Sequence, residues 1–123
     1  MSNFYDLIPS QDTMYLMQKF TFHKQIVQIP TSFMVDMDVD FNVLTKALNI
    51  EIQRNDSMRL RFKKDGKKIV QYFLDSYKID SVRVLSFKTE EEQNNFFTKD
   101  AQIPVRFMKD ETFRIYFFNS FNG

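Results

Sequence analysis

One histidine, three closely spaced aspartates and a run of arginines and lysines are the residues here whose types and spacing could do chemistry. His23 is the only imidazole, the side chain best suited to proton transfer near neutral pH. It is followed by Lys24 and stands in no nucleophile or metal motif, so it reads as a surface or strand-edge residue. Asp36, Asp38 and Asp40 form a D-x-D-x-D triplet. A calcium loop would need Gly at its sixth position and Glu at its twelfth, where this chain has Phe41 and Ala47. The three acids therefore read as a strand end and a helix cap. Between Arg54 and Lys68 there are seven Lys or Arg against two acids, Asp56 and Asp65. Such a cluster could hold phosphate, but it lacks the interleaved exposed aromatics of a single-strand binder. A charged hairpin tip that resists edge pairing accounts for Lys63, Lys64, Lys67 and Lys68. No Walker A loop, dinucleotide fingerprint or nucleophile elbow is present. With no cysteine, neither a disulfide nor a thiolate metal site can form, and no metal centre is expected.

The elements that must position these residues belong to one domain of 123 residues. Apolar residues make up 43% and charged residues 27%, an ordinary globular balance. Fifteen Phe and seven Met, with no Trp, predict a core of Phe and Met. A net charge of +1 gives no field to draw in nucleic acid or an anionic membrane. The N-terminus carries acids and lacks an apolar core, which argues against a signal peptide. No apolar run reaches the ~20 residues that span a bilayer. A cytoplasmic protein is expected.

Along the chain, residues 5–19 read as an extended turn and then a short helix, with Ser10 as N-cap. Residues 20–37 read as extended, with Phe33, Val35 and Met37 alternating against Ser32, Met34 and Asp36. Residues 40–54 are the clearest helix: Phe41, Leu44, Leu48 and Ile52 share a face, Asp40 suits the N-cap, and Arg54 suits the negative end of the dipole. Asn55 to Ser57 breaks it. Met58 to Lys63 is a predicted strand, with Arg59, Arg61 and Lys63 on its polar face. Asp65-Gly66 predicts a hairpin turn, and Ile69 to Leu74 the returning strand. Ile79 to Phe87 is another. Thr89 and Glu92 form a capping box opening a helix to about Lys99. Val105 to Met108 reads as a short extended piece, and Thr112 to Phe118 as a strand. Asn122-Gly123 then writes a turn whose returning strand would follow.

The stretch Arg54 to Phe62, RNDSMRLRF, resembles the second core motif of the condensation-domain and chloramphenicol-acetyltransferase-like acyltransferases, R-H-E-x-L-R-T-x-F. Arg54, Met58 (for Leu), Arg59 and Phe62 fall in register, while Asn55 and Asp56 replace His-Glu. Leu7, Pro9, Gln11, Met14 and Tyr15, in LIPSQDTMY, stand where the first core motif reads L-S-P-A-Q-x-x-L-W. Gln28-Ile29-Pro30 resembles an N-I-P run that often follows.

The resemblance implies an α+β fold: a mixed, largely antiparallel sheet with two main helices on one face, the N-terminal part of a chloramphenicol-acetyltransferase-like lobe, over residues 1–123. It implies a parent enzyme that moves an acyl group from a carrier-protein or coenzyme A thioester to an amine or hydroxyl. Its H-H-x-x-x-D motif would lie beyond Gly123, so no catalytic residue is expected here and the chain alone should be inactive. In that family the arginine matching Arg59 helps hold the active-site loop by charge pairing; on the residues alone Arg59 is a solvent-facing strand residue. The expected partners are the remainder of the domain, a carrier protein, and a second copy joined through the 112–118 strand edge. The alternative is a non-catalytic binding or scaffolding module of the same half-lobe.

Overall fold

The computed structural model describes residues 3–109 and 112–120. Its elements run β1 (Tyr5–Asp6), α1 (Pro9–Phe20), a 3-10 turn (Lys24–Val27), α2 (Phe41–Arg54), a second 3-10 turn (Asp56–Arg59), β2 (Leu60–Asp65), β3 (Lys68–Phe73), β4 (Val84–Ser86), α3 (Glu90–Ala101) and β5 (Phe117–Asn119). The architecture is α+β, as the resemblance implied. The strands divide into two sheets: an antiparallel sheet in the order β1-β3-β2, and a parallel pair β4-β5. The parallel pair follows from connectivity, because α3 lies between its strands in the chain and parallel strands need such a crossover.

Each helix starts where its first residues can satisfy the free N–H groups of the opening turn. Asp40 accepts from the Asn42 amide at 2.8 Å, and Thr89 Oγ1 from the Glu92 amide at 3.1 Å. The Glu92 carboxylate reaches back one residue further than a capping box requires, to the Lys88 amide at 3.0 Å. In α1 the N-cap is Ile8, not Ser10. Pro9 opens this helix with the torsion the first turn needs, and Gln11 Oε1 accepts from the Ile8 amide at 2.9 Å.

Several predicted strands are shorter or absent. Residues 32–37 form no ladder, and Phe33, Val35 and Met37 are exposed: the alternation is present but no strand among the described residues pairs with it. Met58 and Arg59 belong to the 3-10 turn, so β2 begins at Leu60. The Ile79–Phe87 strand shrinks to Val84–Ser86, Thr112–Phe118 to Phe117–Asn119, and residues 105–108 carry no strand. The hairpin turn is centred on Gly66 and Lys67, since Asp65 pairs with Lys68. Gly66 alone has positive φ (63°), as a two-residue loop with Gly in first place requires. The Asn122-Gly123 turn lies outside the described residues.

The best-packed part is aromatic. Phe87 is buried and meets Phe96, Phe97 and Phe118 at ring-centroid distances of 5.7, 5.7 and 6.0 Å. Neighbouring residues of β5 serve opposite sides: Phe118 joins this α3 cluster, while Phe117 stacks on Phe41 of α2 at 5.3 Å. Two side chains of α2 hold the segment between β3 and β4: Gln53 donates to the Asp75 carbonyl at 3.3 Å, and Asn49 bonds to Ile79. Asn49 donates to the Ile79 carbonyl and accepts from the Ile79 amide, both at 2.8 Å.

Candidate functional site

Two places concentrate the residues singled out by sequence: the junction of α2 with β2, and a cavity beneath α1. At the junction, Asn55 ends α2 and the 3-10 turn Asp56–Arg59 brings Arg59 back over the helix end. Its Nη1 donates to the Ile52 and Gln53 carbonyls, each at 2.8 Å, and its Nε to the Leu74 carbonyl at 2.9 Å. The last carbonyls of a helix have no intrahelical donors and carry the negative end of its dipole. One guanidinium thus satisfies two of them and ties α2 to the end of β3. Arg59 is half-buried, not a solvent-facing strand residue.

The cavity, of about 470 Å³, lies between α1, the β2–β3 sheet and the residues Phe107, Met108 and Thr112. Leu7, Met14, Tyr15, Phe62, Ile69 and Phe107 are among its walls. Leu60, Phe62, Ile69 and Gln71 share one sheet face, because residues paired across an antiparallel ladder lie on the same side. Gln11 of α1 crosses to that face, donating Nε2 to Gln71 Oε1 at 2.7 Å. Gln71 is buried and satisfies its own amide by donating to the Asp6 carbonyl at 2.9 Å. Among the described residues no histidine, carboxylate or lysine lines the cavity.

The stretches LIPSQDTMY and RNDSMRLRF are separated by nearly forty residues, yet Leu7, Gln11, Met14 and Tyr15 of the first face Phe62 of the second across this one cavity. A model of the condensation-domain family matches residues 1–122. The chain belongs to the condensation-domain family. Among solved structures it is similar to the condensation domain of the monacolin K polyketide synthase MokA, at 17% identity and a TM-score of 0.74. That likeness covers 96% of this chain and 27% of the other, and at such identity it concerns the fold. No curated protein matches the chain.

The remaining predicted residues fall at the surface of this condensation-family chain. His23 is exposed, precedes the first 3-10 turn, and is not among the residues of the cavity wall. Lys63, Lys64, Lys67 and Lys68 are exposed around the hairpin tip. Lys63 Nζ sits 3.9 Å over the Phe4 ring, and Lys68 pairs with Asp6 at 2.9 Å. The hydrogen bond to Asp6 and its charge raise the Lys68 pKa. Asp36 and Asp38 lie in the exposed link before α2. No helix among the described residues is long and apolar enough to cross a membrane.

Sequence reasoning missed Gln71 and Arg61. Gln71 interrupts the apolar run Ile69 to Phe73, and a polar residue at a core position signals a buried partner. Arg61 was placed on the polar face of β2, but it is only 9% exposed.

Proposed function

We propose that the chain is the N-terminal part of a condensation enzyme that transfers an acyl group from a carrier-protein or coenzyme A thioester to an amine or hydroxyl. In this reading it works in the cytoplasm and supplies scaffold, while the reacting imidazole belongs to polypeptide after residue 123. The observation that carries the reading is membership of the condensation-domain family over residues 1–122, in a chain whose one histidine stands exposed and outside the cavity.

The surface supports it. The chain exposes 9537 Å², against about 7,000 Å² for a compact monomer of this mass, an excess of roughly 2,500 Å². Among the described residues the buried apolar side chains are Ile52, Val70 and Phe87. An excess of that size matches a permanent interface, here with the rest of the domain. Arg59 would take the active-site loop through Nη2, which has no partner among the described residues while Nε and Nη1 hold the backbone.

The test is the coding sequence after Gly123 together with an acyl-transfer assay. An H-H-x-x-x-D motif shortly downstream, thioester-dependent product from the full-length protein, and none from residues 1–123 are expected. Lack of that motif, with tight binding of a carrier protein and no turnover, would establish the scaffolding alternative.

A further inference from the structure

β5 has a helix against each face but, among the described residues, a neighbour on one edge only. Phe117 stacks on Phe41 of α2 at 5.3 Å, and Phe118, on the opposite face, meets Phe97 of α3 at 5.2 Å. A strand covered by helices on both faces belongs inside a sheet. Its bonds to β4 use alternate residues: the Phe117 amide donates to the Arg83 carbonyl at 3.1 Å, and the Asn119 carbonyl accepts from the Phe87 amide at 3.2 Å. The N–H and C=O of Phe118 therefore point to the outer edge. The other open edges differ. β1 is two exposed residues long, β4 exposes Val84 and Ser86, and β2 carries Lys63, Lys64 and Asp65. Short, exposed or charged strands are what a sheet normally ends on. The half-buried Phe117 and Phe118 are not.

A second unpaired stretch ends at the same place. Residues 32–37 lie outside helix and strand and expose Phe33, Met34, Val35 and Met37. Met37 precedes Phe41 by four residues, a reach of up to ~14 Å, and Phe41 is held on β5. One strand between this stretch and β5 needs two strand spacings, about 10 Å.

We propose that the outer edge of β5 takes an inner strand from the polypeptide after residue 123, and that residues 32–37 pair along the far side of that strand. The sheet order is then β4, β5, the added strand, residues 32–37. The inference rests on the proposed function, since it takes the added strand from the rest of the condensation domain. Its chemistry follows from its place: between α2 and α3 it is a near-continuous apolar run, not an alternating one. A second copy fits less well. Its β5 has a single free edge, so two joined β5 strands would leave residues 32–37 unpaired in both.

The experiment uses the full-length product of the gene carrying this segment. Amide exchange at Phe118, and at alternate residues of 33–37, should be at least about 100-fold slower than in a free chain. One apolar run after residue 123 should be protected at every amide, because both its edges are paired. The protection should not change with protein concentration. Successive N–H groups of a strand point to opposite edges, and only the bonded edge excludes proline. Of Met34→Pro and Val35→Pro, one should therefore lower Tm by several degrees and the other by little. The proposal is overturned if Phe118 exchanges as in a free chain, if residues 33–37 do, or if the two prolines act alike. It is also overturned if no run after residue 123 is protected throughout, or if the gene ends at Gly123. Protection lost on dilution to monomer would assign the edge to a second copy and overturn it too. Acyl transfer by the wild type is read separately. Protection without turnover leaves the added strand standing and sinks the acyl-transfer reading, and turnover without protection does the reverse.

Discussion

At the scale of single residues, the two arginines of RLR differ because of one torsional event. The turn at residues 56–59 rotates Arg59 out of the strand register and over the helix end, while Arg61, in the strand, goes under Tyr77. Arg59→Met removes three charge-assisted bonds and should cost at least about 2 kcal/mol in a denaturant titration. Arg59→Lys should recover only part, because an ammonium cannot reach the Nε and Nη1 positions together. Gly66→Ala should cost about 1–2 kcal/mol. A Cβ there meets no neighbour within 4 Å, so that cost would be purely torsional. Tyr116 supplies the pH dependence. Burial, and then its 2.8 Å hydrogen bond to Asp100, raise its pKa above the usual 10.0. The folded state therefore holds this proton more tightly than the unfolded one. Its stabilisation is complete below pH 10 and fades as pH rises through the folded pKa. Lys68 acts in the same direction. Tyr116→Phe should lose about 1 kcal/mol at neutral pH and show a shallower decline in alkaline melts.

At the scale of elements, the helices were legible because their determinants are local. Asp40 and Thr89 mark the starts of α2 and α3, and the observed hydrogen bonds are the ones those residue types make. Asp40→Ala and Thr89→Ala should each cost about 1 kcal/mol, seen as a lower Tm with the fold unchanged. Strands were legible only where a partner was near in sequence, as across the Gly66 turn. The alternation of Phe33, Val35 and Met37 is as regular as that of β2, yet a ladder needs a second strand and residues 32–37 have none among the described residues. Parallel pairing of Val84–Ser86 with Phe117–Asn119 depends on α3 folding between them, which a local pattern cannot display. The cavity was half legible: the motif residues Leu7, Gln11, Met14, Tyr15 and Phe62 were named, but Ile69, Gln71 and Phe107 reach or adjoin it through pairings distant in sequence. Asn49 stands in for a strand at Ile79. The Ile79 amide should accordingly exchange slowly with solvent deuterium, and Asn49→Ala should abolish that protection.

At the scale of the whole molecule, the excess of exposed surface sets the behaviour of the isolated chain. Phe20, Phe22, Ile29 and Phe33 are exposed together with Met14, Met17, Met34 and Met37. β5 has an outer edge with no neighbour among the described residues, and such edges pair with other chains. Residues 1–123 alone should form dimers or larger species in light scattering as concentration rises. A strict monomer at high concentration would count against pairing through the 112–118 segment.

The same excess bears on the order of synthesis. If, as proposed, covering sequence follows residue 123, it leaves the ribosome after these residues, at roughly 5–20 residues per second, and Phe20, Phe22 and Phe33 stay wet until it is translated. The lysines around Gly66 and the three glutamates that open α3 are then what keeps the nascent segment dispersed. Neutralising them should leave the finished protein nearly as stable but reduce the fraction that reaches the finished state.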